Sequence, residues 1–156
     1  MKVNIGISTE HIAELGKLLN GLLADELLLN AKVKKFHWNV TGPHFTALHQ
    51  LFDVQFAELA PQIDLLAERI RALGVKSIGG MNETVSFSVL KDSEGDPDYK
   101  TMLSELLADH ETVVRRLREA IPQVADEYKD ATTEGQLTAL MEWHEKTAWM
   151  LRSHLE

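Results

Sequence analysis

Residues 45–73, FTALHQLFDVQFAELAPQIDLLAERIRAL, carry apolar side chains at intervals of three and four, the pattern of one long amphipathic helix. Two pairs of potential metal-binding residues lie on it. His49 and Asp53 are four positions apart, as are Asp64 and Glu68, so each pair sits one turn apart on one face. Asp53 and Asp64 are eleven positions apart. At about 100° per residue, eleven steps return to nearly the same face; at about 1.5 Å of rise they place the two pairs roughly 16 Å apart along the axis. Metal–ligand bonds are about 2 Å long, so one ion cannot touch both pairs on a straight helix.

A second copy laid antiparallel across a two-fold axis removes the difficulty. If Asp53 faces the partner's Asp64, then His49 faces the partner's Glu68, and Ala57 faces the partner's Ala60 at the crossing, where helices must come close. Isologous two-fold contacts of this kind are the commonest in oligomers. His37, at the end of the preceding apolar-periodic stretch and shortly before Gly42-Pro43, can join the site from outside the helix. Pro61 lies inside the helix and is expected to kink it.

The rest of the chain reads as further helix. The first starts near Ser8, an N-cap with Glu10 in the first turn, and ends around Trp38 to Val40. The second ends at Gly74, a natural glycine stop. A long connection over 75–95 holds Gly79-Gly80, Asp92-Ser93-Glu94-Gly95 and, between them, TVSFSVL, too short for a core helix. A third long helix is expected to open with Asp96 as cap and Pro97 at its first position, and Pro122 to bend or end it. A fourth starts near Thr132 or Thr133 and runs to the end. With no credible strand, the expectation is an all-α chain, a ferritin-like four-helix bundle with one long crossover, forming a single domain over 1–156.

The run His37-Trp38-Asn39-Val40-Thr41-Gly42, then His49, Asp53, Asp64 and Glu68, the last within Ala67-Glu68-Arg69, resembles the pattern of the Dps family, the mini-ferritins first described as DNA-binding proteins from starved cells. Every spacing of that pattern holds here. The resemblance implies a ferroxidase centre shared between subunits, with His37, His49 and Asp53 from one chain and Asp64 and Glu68 from the other. It implies oxidation of Fe(II), preferably by hydrogen peroxide rather than oxygen, with ferric mineral laid down in a hollow dodecamer as protection against oxidative stress. It also implies a short helix in the crossover at the dimer interface, with Phe87 and Val89 as anchors. Trp38 would pack beside the centre, where it could absorb a stray oxidising equivalent; Asn39 could fix the turn or the imidazoles. Carboxylates lining three-fold pores near the start of the last helix would correspond to Asp130 and Glu134. Imidazole and carboxylate ligands without thiolate suit Fe(II) and tolerate Zn(II) or Mn(II), so the choice of iron rests on the resemblance.

Other classes are disfavoured. A ferritin-type site inside one bundle needs Glu-x-x-His pairs, and none of the seven histidines has Glu three residues before it. His11, His44, His110, His144 and His154 fit no ligand spacing and read as surface or packing residues. Cysteine is absent, which excludes disulfides and thiol chemistry. The N-terminus has no apolar signal region, and the expectation is a cytoplasmic protein with no membrane span. A nucleoid-compacting, DNA-binding role is the alternative reading. The net charge of −8 argues against it; the short N-terminal extension carries only Lys2, and Lys32, Lys34 and Lys35 sit at a helix C-terminus, where cations are favoured anyway. No appreciable DNA binding is expected at physiological salt.

Overall fold

The computed structural model describes residues 3–156. Five helices follow in order: α1 (Thr9–Asn39), α2 (Phe45–Ala72), α3 (Met81–Phe87), α4 (Tyr99–Asp126) and α5 (Ala131–Ser153). No strand occurs among the described residues. The expected all-α, ferritin-like bundle is the observed architecture. Two long hairpins, α1–α2 and α4–α5, pack on one another mainly through α1 and α4, whereas α2 and α5 touch only thinly.

Local chemistry sets the helix ends. Ser8 caps α1 by accepting from the His11 amide at 3.1 Å. At the end of α2 the chain reverses through Gly74 at φ +80°, a conformation that costs an L side chain energy. Gly74 N–H then reaches Arg71 O at 2.9 Å, and Val75 N–H reaches Ile70 O at 3.1 Å. The opening of α4 differs from expectation: the cap is Asp98, not Asp96, and the helix begins at Tyr99, beyond Pro97. The Asp98 carboxylate accepts from the Thr101 amide at 2.8 Å, a bond that Asp96 is two residues too early to make. Neither internal proline ends its helix. Pro61 lies on the exposed face of α2, whose two halves are held on the core by buried Leu59, Leu66 and Ile70. Pro122 is likewise exposed, and buried Ala120 and Val124 keep α4 regular to Asp126.

Leucines of α1 form the centre of the core, with Phe36 and Phe52 packed beyond them toward the end of α1. The crossover is tied down by one buried carboxylate. Asp25 of α1 accepts from Ser88 Oγ at 2.7 Å and the Val89 amide at 2.9 Å, and its other oxygen pairs with Arg116 of α4. The short helix α3 is held at its start by Glu83, which accepts from the Gly80 and Gly79 amides at 3.0 and 3.2 Å. Those bonds lower the Glu83 pKa. Phe87 and Val89 are exposed, together with Met81 and Val85.

Candidate metal centre

The last turn of α1 and the first turns of α2 bring His37 and His49 together. Their rings stack at 3.8 Å between centroids, 24° from parallel. Each Nδ1 meets the other residue's backbone carbonyl: His37 Nδ1 lies 2.9 Å from His49 O, and His49 Nδ1 lies 2.8 Å from His37 O. A carbonyl can only accept, so both Nδ1 atoms carry the hydrogen. In the Nδ1–H tautomer the lone pair is on Nε2, and the orientation of each ring is fixed by the bond at Nδ1, the arrangement usual for metal-bound imidazoles. His37 Nε2 lies 3.7 Å from Asp53 Oδ1. Asn39, by contrast, is not part of this arrangement: its amide donates to Lys35 O at 2.7 Å.

Of the five candidate ligands, the chain thus stacks His37 on His49 and sets Asp53 beside His37. Asp64 and Glu68 are exposed farther along α2, on the same stripe as Asp53, Ala57, Ala60 and Pro61. Among the described residues, no three His, Asp or Glu side chains of the one chain lie close enough together to hold a metal ion. Trp38, next to His37, is 69% exposed.

Lys34 is a neighbour of this site that sequence reasoning missed. Its ammonium lies 3.4 Å from Asp53 Oδ1, 4.2 Å from the centre of the Phe56 ring and 5.9 Å from that of Trp38. The other lysines of the basic cluster are also engaged. Lys32 is buried and pairs with Asp109 at 2.6 Å, and Lys35 donates to Ser93 O at 2.7 Å. Lys2 lies outside the described residues.

Asp130, expected at a pore, caps a helix and is held in an ion pair within the chain. Its side chain is buried, caps α5 by accepting from the Thr133 amide, and takes two hydrogen bonds from Arg69 at 2.7 and 2.8 Å. Burial disfavours its charge, but the bonds from Thr133 and Arg69 prevail and hold its pKa below the ordinary value. The arginine of the Ala67-Glu68-Arg69 run thereby fastens the end of α2 to the start of α5. Glu134 remains partly exposed one turn on, with Asp126 and Glu127 exposed before the turn.

His110 and His144 are not surface residues. Both are fully buried, and their Nδ1 atoms are 2.8 Å apart. His144 Nε2 lies 3.0 Å from Oε1 of Glu26, which is also fully buried. Glu26 Oε2 and His110 Nε2 have no partner. The positions were readable as core, since His110 falls in the apolar series Leu106, Val113, Leu117 and His144 in Leu137, Leu140, Leu151; the bond between them was not.

Comparison with known proteins identifies the fold and the family. A ferritin-like domain model matches residues 16–156. An uncharacterized low temperature-induced protein of Nostoc is 44% identical over 156 residues, spanning 99% of this chain and 87% of that protein. The DNA protection during starvation protein of Brevibacillus brevis is 35% identical, spanning 89% of this chain and 93% of that one. The crystal structure of a Dps protein from Vibrio cholerae, titled as a member of a broad superfamily of ferritin-like diiron-carboxylate proteins, superposes with a TM-score of 0.93 at 26% identity over 100% of this chain and 98% of its own. Fold and family model together define a ferritin-like protein. Within that class, the chain belongs to the Dps family. Iron storage and stress protection are the general functions that membership supports. No helix among the described residues is long and apolar enough to cross a membrane.

Proposed function

We propose that this protein oxidises Fe(II) at a two-iron site shared by antiparallel α2 helices, with His37, His49 and Asp53 from one chain and Asp64 and Glu68 from its partner. The observation that carries this reading is the reciprocal pair of Nδ1–carbonyl bonds, which leaves two imidazole lone pairs beside an exposed carboxylate. Asp64 and Glu68, exposed on the same stripe of α2 and too far along it to complete that cluster, supply the remainder from the other copy.

Five protein ligands around two ions leave positions open for water or an oxidant. Hydrogen peroxide is the oxidant that fits best, with oxygen as a substitute. Its O–O bond would be cleaved by one electron from each of two Fe(II) ions, and with two protons from solvent both oxygens would leave as water, so no hydroxyl radical is released. The ferric product is stored as mineral inside a cage, a dodecamer built from two-fold dimers. Zn(II) or Mn(II) would occupy the same ligands without performing this reaction. Glu134, with Asp126 and Glu127, is the remaining candidate for a cation entrance. Trp38, beside the site, is the candidate sink for a stray oxidising equivalent. We expect no appreciable DNA binding, because Lys32, Lys34 and Lys35 are all engaged within the chain.

The test is anaerobic Fe(II) titration followed by stopped-flow addition of peroxide or oxygen, for the wild type, His49→Ala and Asp64→Ala. Two irons per site, fast oxidation by peroxide and inactive single variants are expected. Mixing the two variants after dissociation should restore part of the activity, since a mixed dimer regains one intact site. Normal oxidation by both variants would sink the assignment.

A further inference from the structure

We propose that Arg69 is a positioning residue for the second half of the metal site: by fastening α2 to the start of α5, it sets where Asp64 and Glu68 stand. The inference deepens the shared-site reading and rests on it, since it takes those two carboxylates as ligands. Arg69 acts through the backbone. At about 100° per residue it points about 100° around α2 from Glu68 and about 140° from Asp64, away from the ligand stripe and toward α5.

The segment that carries Asp64 and Glu68 needs such a tie. Pro61, three residues before Asp64, has no N–H to give Ala57 O, so the hydrogen-bond ladder of α2 is interrupted where the ligand pair begins. Beyond it, buried Leu66 and Ile70 hold the helix on the core, but apolar contacts are non-directional and resist a roll of the helix only weakly. The α5 flank gives little support, because an apolar groove of about 370 Å³ separates the two helices between Leu65, Leu66, Ala139 and Leu140. Among the described residues, side-chain hydrogen bonds join α2 to α5 at two places, one on each side of the proline. Before it, Trp143 Nε1–H donates to Glu58 at 2.8 Å. After it, Arg69 Nε donates to Thr133 Oγ1 at 2.8 Å and Nη2 donates to both Asp130 oxygens at 2.8 and 2.7 Å. The Arg69 and Asp130 side chains are 12% and 3% exposed, so water competes little for these bonds. A rigid planar guanidinium held by two residues fixes an angle, which a single point charge would not. Without it, a roll of about 10° would shift a carboxylate lying about 5–6 Å from the helix axis by about 1 Å. Misplacement on that scale can cost a site about 100-fold.

Cobalt(II) titration of the assembled, iron-free protein, followed by visible absorption, tests this without turnover. Arg69→Met/Asp130→Asn removes the tie and leaves no buried charge unpaired. It should bind Co(II) about tenfold more weakly than wild type, the effect of losing a supporting partner of a metal ligand, and with an altered ligand-field spectrum. Thr133→Val is isosteric, lies on α5 and bonds to no candidate ligand; it removes the bond at Arg69 Nε and should shift affinity the same way by a smaller factor. Asp98→Ala weakens the cap of α4 instead, and should lower Tm while leaving both Co(II) readouts as in wild type. Wild-type affinity and spectrum in Arg69→Met/Asp130→Asn or in Thr133→Val would overturn the proposal, and so would an equal loss in Asp98→Ala. Thr133→Val decides the matter if the double variant does not assemble. Asp64→Ala separates the two readings. Impaired Co(II) binding there, beside an unchanged Thr133→Val, would sink the positioning role and leave the shared site standing. Undiminished binding in Asp64→Ala would strike the shared site instead.

Discussion

Acid stability should depend on one buried ring. His110 is fully buried, and burial, with a lesser contribution from the neighbouring His144 ring, holds its pKa well below the ordinary value of 6.5. With His144 Nε2–H given to Glu26, the neutral arrangement has His110 Nδ1–H donating to His144 Nδ1. A second proton on His110 would have to enter at Nε2, which has no partner. Trp143, 5.5 Å away ring to ring, offers it no carboxylate. The sign follows from linkage. In the unfolded chain the ring takes up a proton near pH 6.5, whereas in the folded chain it does not, so the unfolded state binds more protons below that pH and stability falls as pH falls. The loss begins near 6.5 and continues down to the folded-state value. One proton corresponds to about 1.4 kcal/mol per pH unit, so lowering the pH from 7 to 5 should remove about 2 kcal/mol through this residue. For a chain of this size that is a fall in Tm of about 4–8 °C. The assay is thermal unfolding by circular dichroism at pH 7, 6 and 5, at one protein concentration, for wild type and His110→Leu. The variant starts lower because His144 Nδ1 loses its donor, but its Tm should fall less with pH by that margin. Groups that titrate in both proteins cancel in the comparison. Parallel Tm curves for the two proteins would refute the reasoning.

Two further predictions concern the ties found only in the structure. Arg69→Met leaves the buried Asp130 carboxylate without its cation and should cost about 3 kcal/mol in denaturant unfolding; most of that should return in the double variant Arg69→Met/Asp130→Asn, and an additive double variant would show the pair to be uncoupled. Asp98→Ala should lower Tm through loss of the α4 cap, whereas Asp96→Ala should leave Tm unchanged; the reverse order would restore Asp96 as the cap.

The bundle interior also bears on where the chemistry sits. Glu26, His110 and His144 come from α1, α4 and α5 and are of the residue types that bind iron. They are joined end to end by hydrogen bonds instead of converging on one point, so the nitrogens face each other and not an ion. The nitrogens that accompany an exposed carboxylate are those of buried His37 and half-buried His49, beside Asp53.

Features that depend on spacing along one helix were legible without coordinates. The ends of α1 and α2, the all-α class, and the separation of His49 and Asp53 from Asp64 and Glu68 follow from periodicity, capping chemistry and rise per residue, which are properties of neighbours in the chain. Contacts between residues far apart in sequence were not legible, since nothing local encodes which side chain arrives from across the bundle. His37 and His49 orient one another only because α1 and α2 pack antiparallel. Asp130 is held by Arg69, sixty-one positions away, a tie that its place near a helix start does not signal. Likewise His110 and His144 became a buried bonded pair only when α4 and α5 closed on α1, because burial and the partner of a polar group are set by packing.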